Sequence, residues 1–143
     1  MKFNKKNLRD VDYLEHIMNA CNRIIDKTKD LDIDRFLDDE DLPDIVTRQI
    51  EKIGEASNNI ARNCPDFVER FPDFNLAGAY NMRNRIIHGY FSVDMKLVWA
   101  VARDNIPELA TNTKKAYLDI VQDALSRPLG DALQQSKKEK PKL

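Results

Sequence analysis

Apolar residues recur at intervals of three and four along most of the chain, which is the pattern of amphipathic helices. The first series, which predicts a long helix, comprises Leu8, Val11, Leu14, Ile17, Met18, Cys21, Ile24 and Ile25. The second series, which follows Pro43 and ends near Cys64, comprises Ile45, Val46, Ile50, Ile53, Ala56 and Ile60. No stretch alternates apolar and polar residues as a strand does, so the pattern predicts an all-α fold.

Two further helices are predicted in the second half of the chain. Asn75 can cap a helix that runs to His88, and Gly89 suits the left-handed conformation that often ends a helix. Asp94 can cap a fourth helix, which Pro107 should kink or restart. We therefore expect an antiparallel bundle of about four to five helices.

Three segments interrupt the helical pattern. Residues 30–44 carry eight carboxylates against one arginine and are expected to form a solvated loop with one turn around residues 35–37. Residues 65–75 should form an irregular connector pinned by Phe67, Phe71 and Phe74. Periodicity is lost near the end, which predicts a domain over residues 1–127 and a polar, flexible tail over residues 128–143.

Composition excludes several classes of protein. A length of 143 residues fits one domain with a genuine core. The net charge of -1 provides no overall attraction to nucleic acid, so any RNA contact must be a local basic patch. We find neither a signal peptide nor an apolar run of the ~20 residues that a membrane span needs. Cys21 and Cys64 form no metal-binding spacing, so we expect reduced thiols, a cytoplasmic location and no metal or cofactor.

The candidate chemistry is concentrated in residues 83–90, which read Arg-Asn-Arg-Ile-Ile-His-Gly-Tyr. Arg83 is a permanent cation whose planar fork suits phosphate, and His88 can exchange protons near neutral pH. The pair could cleave RNA without a metal, because His88 can deprotonate a ribose 2′-hydroxyl or protonate the leaving oxygen while Arg83 stabilises charge on the phosphate. The same side chains could also belong to an ordinary salt-bridged helix, and the octapeptide alone does not decide between the two.

Helix geometry raises a question about this pair. In a continuous helix Arg83 and His88 would lie about 140° apart, whereas Asn84 and His88 would share a face. Either Arg83 reaches round the helix, or a two-fold dimer brings two octapeptides together in one cleft.

The neighbouring residues each have two interpretations. Asn84 either orients His88 or caps backbone groups, and Arg85 is a solvated cation or a contact to the RNA backbone. Gly54, within Gly-Glu-Ala, indicates a close helix crossing rather than a catalytic carboxylate. We assign no chemistry to His16, which lies away from the apolar stripe of its helix or on its edge.

Several motifs resemble, in order and spacing, the HepT family of HEPN-domain toxins. They are Arg-Gln-Ile-Glu-Lys-Ile-Gly-Glu-Ala over residues 48–56, the octapeptide with Arg83, His88 and Tyr90, and Val-Asp and Val-Trp over residues 93–94 and 98–99. The similarity covers roughly residues 8–125, and Phe74 stands where the family usually has a tryptophan. The resemblance implies a HEPN-type helical fold and a homodimer with a composite cleft.

The resemblance also implies a function. It suggests a metal-independent endoribonuclease toxin, with tRNA as a candidate substrate, from a toxin–antitoxin pair. The implied partner is an MntA-type minimal nucleotidyltransferase that neutralises the toxin by attaching AMP to Tyr90, which could otherwise be an ordinary packed aromatic. The alternative is a non-catalytic HEPN subunit that binds nucleotide or protein beside such a nucleotidyltransferase.

Overall fold

The computed structural model describes residues 9–88 and 92–126, and for His88 and Ser92 it describes the backbone alone. The helices are α1 (Asp10–Thr28), α2 (Ile33–Asp38), α3 (Leu42–Asn63), α4 (Pro65–Arg70), α5 (Leu76–Ile86), α6 (Met95–Ala100) and α7 (Ile106–Leu125), with a π-helical turn (Val101–Asn105) between the last two. Two-residue strands, β1 (Ile87–His88) and β2 (Ser92–Val93), follow α5. The described chain is an all-α bundle, as predicted.

The centre of the bundle is α3. It packs against α1 on one side and α5 on the other, and α1 also packs against α7. Most of the described apolar positions of the predicted stripes face inward, because burying them removes apolar area from water, and Leu8 lies outside the described residues. The largest fully buried side chains are Phe36, Phe67, Leu14, Ile17, Ile24, Ile50, Ile53, Ile60, Ile86, Ile106, Val46 and Val98. Within the described ranges, no helix is long and apolar enough to cross a membrane.

The start of α3 and the end of α5 lie at the same end of the bundle. Gly54, near the middle of α3, faces the backbone of Tyr80 in α5, and a Cβ at Gly54 would lie 3.2 Å from the Tyr80 carbonyl oxygen. Towards the start of α3, the hydroxyl of Thr47 lies 4.0 Å from Sδ of Met95, just beyond β2. The two helices are therefore antiparallel, and the predicted close crossing at Gly54 is confirmed.

Two segments contain more helix than predicted. The acidic stretch includes α2, whose N-terminus is capped by Asp32, an acceptor from Arg35 N at 2.9 Å. The prediction of an irregular connector over residues 65–75 was wrong for α4, because Pro65 suits a first helical position and Asp66 favours the first turn. The aromatic contacts predicted there are present: the ring of Phe67 lies 4.8 Å from that of Phe71 and 5.4 Å from that of Phe74.

The predicted effect of Pro107 takes a specific form. Helical backbone continues from α6 into α7, but the hydrogen-bond ladder widens between them, with Ile106 N donating to Val101 O five residues back. Pro107, which has no N–H to donate, then stands in the first turn of α7. Single-turn π-helical segments of this kind often occur at functional sites.

Both cysteines are free and buried. Burial raises the pKa of Cys21 from 9.0 to about 12. Burial also raises the pKa of Cys64, with a further contribution from the carboxylates of Asp10 and Asp66. The expectation of free thiols is confirmed.

Candidate functional site

The octapeptide begins on the last turn of α5. The predicted cap is present, since Asn75 Oδ1 accepts from Gly78 N at 2.8 Å. One face of α5 is buried in the bundle, through Leu76, Ala79, Met82 and Ile86. Because these residues take the inner face, Arg83, Asn84 and Arg85 are exposed.

The helix ends earlier than predicted. It stops at Ile86, whose carbonyl accepts from Asp94 N at 2.7 Å, and the chain then turns into extended backbone. Ile87 pairs with Val93 and His88 with Ser92 in a short antiparallel ladder. The predictions that this helix runs to His88 and ends at Gly89, and that Asn84 and His88 share a helix face, were therefore wrong. His88 lies on a strand, where helical spacing does not apply.

Asp94 connects both sides of the motif. Its backbone N–H holds the end of α5, while its carboxylate caps α6 by accepting from Lys96 N at 3.0 Å and Leu97 N at 3.2 Å. Asp94 therefore holds the end of α5, which carries Arg83, and also the start of α6, which follows β2. The sequence indicated the cap but not the contact to Ile86, which joins residues eight apart.

The two arginines of α5 have different surroundings. Arg83 has no hydrogen-bond or ion-pair partner among the described residues, and the same holds for the side chain of Asn84. Arg85 Nη1 donates to Asn105 Oδ1 of the π-helical turn at 3.4 Å. Arg83 is thus available to an anion, while Arg85 is held by an amide that sequence analysis did not single out. Pro107, two residues beyond Asn105, is the only feature of the local sequence that predicted an irregularity there.

The remaining predicted residues fall at the limit of the described structure. The backbone of His88 is placed by its pairing with Ser92, whereas its side chain, Gly89 and Tyr90 lie outside the described residues. Among the described residues, no three His, Cys, Asp or Glu side chains converge on a metal position. The exposed His16 lies in α1, with its ring 6.4 Å from that of Tyr13.

The described structure is an all-α bundle in which the exposed Arg83 stands on the last turn of α5, five residues before His88. The sequence profile described as Ribonuclease HepT-like matches residues 17–116. The chain belongs to this HepT-like ribonuclease family. No solved structure gives a significant match to the chain.

Curated relatives agree with this assignment. A protein of Methanocaldococcus jannaschii named "Putative RNase MJ1380" is 35% identical over 102 residues, which cover 71% of this chain and 91% of the relative. A protein of Thermococcus cleftensis named "Probable ribonuclease HepT" is 36% identical over 104 residues, 73% of this chain and 92% of the relative.

Proposed function

We propose that this protein is a metal-independent endoribonuclease toxin that cleaves RNA, with tRNA as a candidate substrate, through Arg83 and His88. The observation that carries the proposal is the exposed guanidinium of Arg83, which has no partner among the described residues and stands at the end of a helix joined directly to the strand of His88. Membership of the HepT-like ribonuclease family supports RNA as the substrate.

The proposed reaction balances without water or a metal. The imidazole of His88 takes the proton of a ribose 2′-hydroxyl, and the 2′-oxygen attacks the adjacent phosphorus. The bond from phosphorus to the 5′-oxygen breaks, and that oxygen leaves as a 5′-hydroxyl with the proton that the imidazolium of His88 returns. Arg83 stabilises the charge on the phosphate oxygens through its bidentate fork. The other product is a 2′,3′-cyclic phosphate.

A homodimer fits this chemistry. In a composite cleft, Arg83 of one protomer and His88 of the other could act on the same phosphate and form one half-site. We therefore infer that the exposed ends of α5 from two protomers face each other across a two-fold axis. Mixing Arg83→Ala protein with His88→Ala protein tests this, since heterodimers should regain a fraction of the activity that neither variant has alone.

We also infer that an MntA-type nucleotidyltransferase controls the enzyme by attaching AMP to Tyr90. Tyr90 is two residues beyond His88 in sequence, so a tethered phosphate diester could compete for Arg83 at high effective concentration. Tyr90→Phe removes the acceptor oxygen alone and should yield a nuclease that the partner cannot silence. Peptide mass spectra after co-expression locate any adenylate, and an unmodified Tyr90 in neutralised protein contradicts this control.

The central experiment treats RNA with purified, unmodified protein in excess EDTA and identifies the ends of the products. We expect 2′,3′-cyclic phosphate and 5′-hydroxyl ends. His88→Ala and Arg83→Ala should each lower the rate by ~10²–10⁴, and Arg83→Lys should restore only part of the loss.

The matched control is Arg62→Ala, which removes an exposed arginine from the last turn of α3. It should leave the rate unchanged. Loss of activity in EDTA that a divalent ion restores contradicts the mechanism. Full activity in both alanine variants contradicts the site. Absence of cleavage by the unmodified wild-type protein contradicts the nuclease and favours the non-catalytic HEPN subunit.

A further inference from the structure

A groove lies between α1 and α3. Its volume is about 860 Å³, and three cations line it: Arg23 from α1, and Arg48 and Lys52 from α3. Glu55 is the one carboxylate among its lining residues. Although the chain as a whole has a net charge of -1, this surface is locally basic.

None of the three cations is neutralised by the protein. Within the described residues, Arg23, Arg48 and Lys52 form no ion pair and no side-chain hydrogen bond. Arg70, by contrast, pairs with Asp123 at 3.1 Å. Three unpaired cations around one groove repel one another and are stabilised by an anion placed between them.

A buried amide points to the same conclusion. Gln49 lines the groove and is only 7% exposed, yet its side chain has no hydrogen-bond partner among the described residues. The Oγ atom of Ser57 is the only fully enclosed, unpartnered side-chain atom in the described structure, so the Gln49 amide opens to the groove. Because the amide is open to solvent only through the groove, a polar ligand there could take its hydrogen bonds in place of water.

The position of the groove relates it to the octapeptide. Arg48 is one residue from Thr47, which marks the end of the bundle where α5 stops and β2 returns. The groove occupies the side of α3 roughly opposite Gly54, which faces α5. The groove therefore opens at the level of Arg83 but on another side of α3. An RNA strand of several nucleotides could reach from Arg83 to the groove, whereas a single nucleotide could not.

We propose that the groove between α1 and α3 binds the phosphate backbone of the single-stranded RNA that extends from the cleavage site. Arg48 and Lys52 stand one turn apart, about 6 Å along the helix axis, a separation that suits neighbouring phosphates of an extended strand. Arg23 faces them from α1, and the amide of Gln49 can bond a 2′-hydroxyl or a phosphate oxygen. This inference rests on the proposed ribonuclease function, for which it supplies a substrate-binding surface outside the reacting residues.

The test measures the binding of a fluorescein-labelled single-stranded RNA by anisotropy over a range of salt concentrations. The full chain is used with His88→Ala in every protein, so that the RNA remains intact. Adding Arg48→Gln and Lys52→Gln should raise the Kd about tenfold at low salt and reduce the slope of log K against log salt by about 1.4, at ~0.7 per lost phosphate contact. Adding Gln49→Leu should raise the Kd about threefold without changing the slope, since an uncharged hydrogen bond is lost.

The matched control adds Lys114→Gln and Lys115→Gln, which remove the same charge from an exposed part of α7 outside the groove. Its Kd and slope should stay close to those of the parent. If the groove pair and the α7 pair lose RNA affinity equally, the proposal that the groove binds RNA is overturned. It is also overturned if the groove variants bind RNA normally but lose a protein partner.

Cleavage by the protein with His88 intact is scored separately. Cleavage of RNA together with unchanged binding by the groove variants overturns this inference and leaves the nuclease standing. If the wild-type protein binds RNA through the groove but does not cleave it, the proposed RNA-binding groove is supported and the proposed ribonuclease activity is overturned.

Discussion

Substitution of Gly54 by alanine tests how closely α3 and α5 must approach to position the octapeptide. In a helix interior, Gly to Ala normally stabilises by about 1 kcal/mol through helix propensity. Here the new Cβ would lie 3.2 Å from the carbonyl oxygen of Tyr80 and 3.9 Å from that of Ala79. The nearest atoms belong to backbone, so no side-chain rotation can relieve the contact, and α5 must move by a few tenths of an ångström.

The size of the effect follows from what that movement disturbs. Ala79, Met82 and Ile86 are each at most 4% exposed on the inner face of α5. Overpacking a well-packed contact costs ~1–3 kcal/mol, which offsets the propensity gain. We therefore expect Gly54→Ala to lower the free energy of unfolding by about 0–2 kcal/mol, and Gly54→Val to lower it further because its side chain is larger and β-branched.

Urea unfolding followed by circular dichroism measures these changes. The control is Asn22→Ala, at an exposed position of α1 without a partner among the described residues, which should gain about 0.5 kcal/mol from propensity alone. A Gly54→Ala protein stabilised as much as the control, together with a fully stable Gly54→Val protein, would refute the reasoning. RNA cleavage should fall in step with stability loss at Gly54, because Arg83 lies one turn beyond the displaced backbone.

Three further predictions concern stability. Asp94→Ala should lower the free energy of unfolding by about 1 kcal/mol in urea and Asp94→Asn by less, since the cap of α6 is lost in the first and kept in the second; equal losses would contradict the role of the cap. Because the pKa of Cys21 is raised from 9.0 to about 12, its contribution to stability is intact below pH 9 and is lost as pH rises towards 12, by up to about 4 kcal/mol. In thermal melts, Cys21→Val should reduce the fall in melting temperature at alkaline pH. If that fall is unchanged, groups other than Cys21 cause it. Arg70→Gln should cost less than about 1 kcal/mol, because its ion pair with Asp123 is exposed to solvent, and a larger loss would indicate a structural role for that bridge.

The proposals differ in how much of them could be reached from sequence. Arg83, His88 and Tyr90 were identified by residue type and order, and the family assignment is now shown. Their roles as catalytic and modified residues stay predictions, and so do the homodimer, the cytoplasmic location, the nucleotidyltransferase partner and the flexible tail over residues 128–143. The expectation of a local basic patch pointed towards a groove such as the one lined by Arg48 and Lys52, but charge counting alone could not locate it.

The sequence by itself determined the features that depend on neighbouring residues. Helix periodicity reports which face of each segment is apolar, and the caps at Asn75 and Asp94 act within three residues of themselves. Tertiary structure alone decided the features that join distant residues. The end of α5 at Ile86 depends on the N–H of Asp94, and the hydrogen bond of Arg85 depends on Asn105. Gln49 is unpaired because neither α1 nor α3 places a hydrogen-bond partner beside its amide. Local propensity is encoded over a few residues, whereas these hydrogen bonds, and their absence, exist only once the helices have packed.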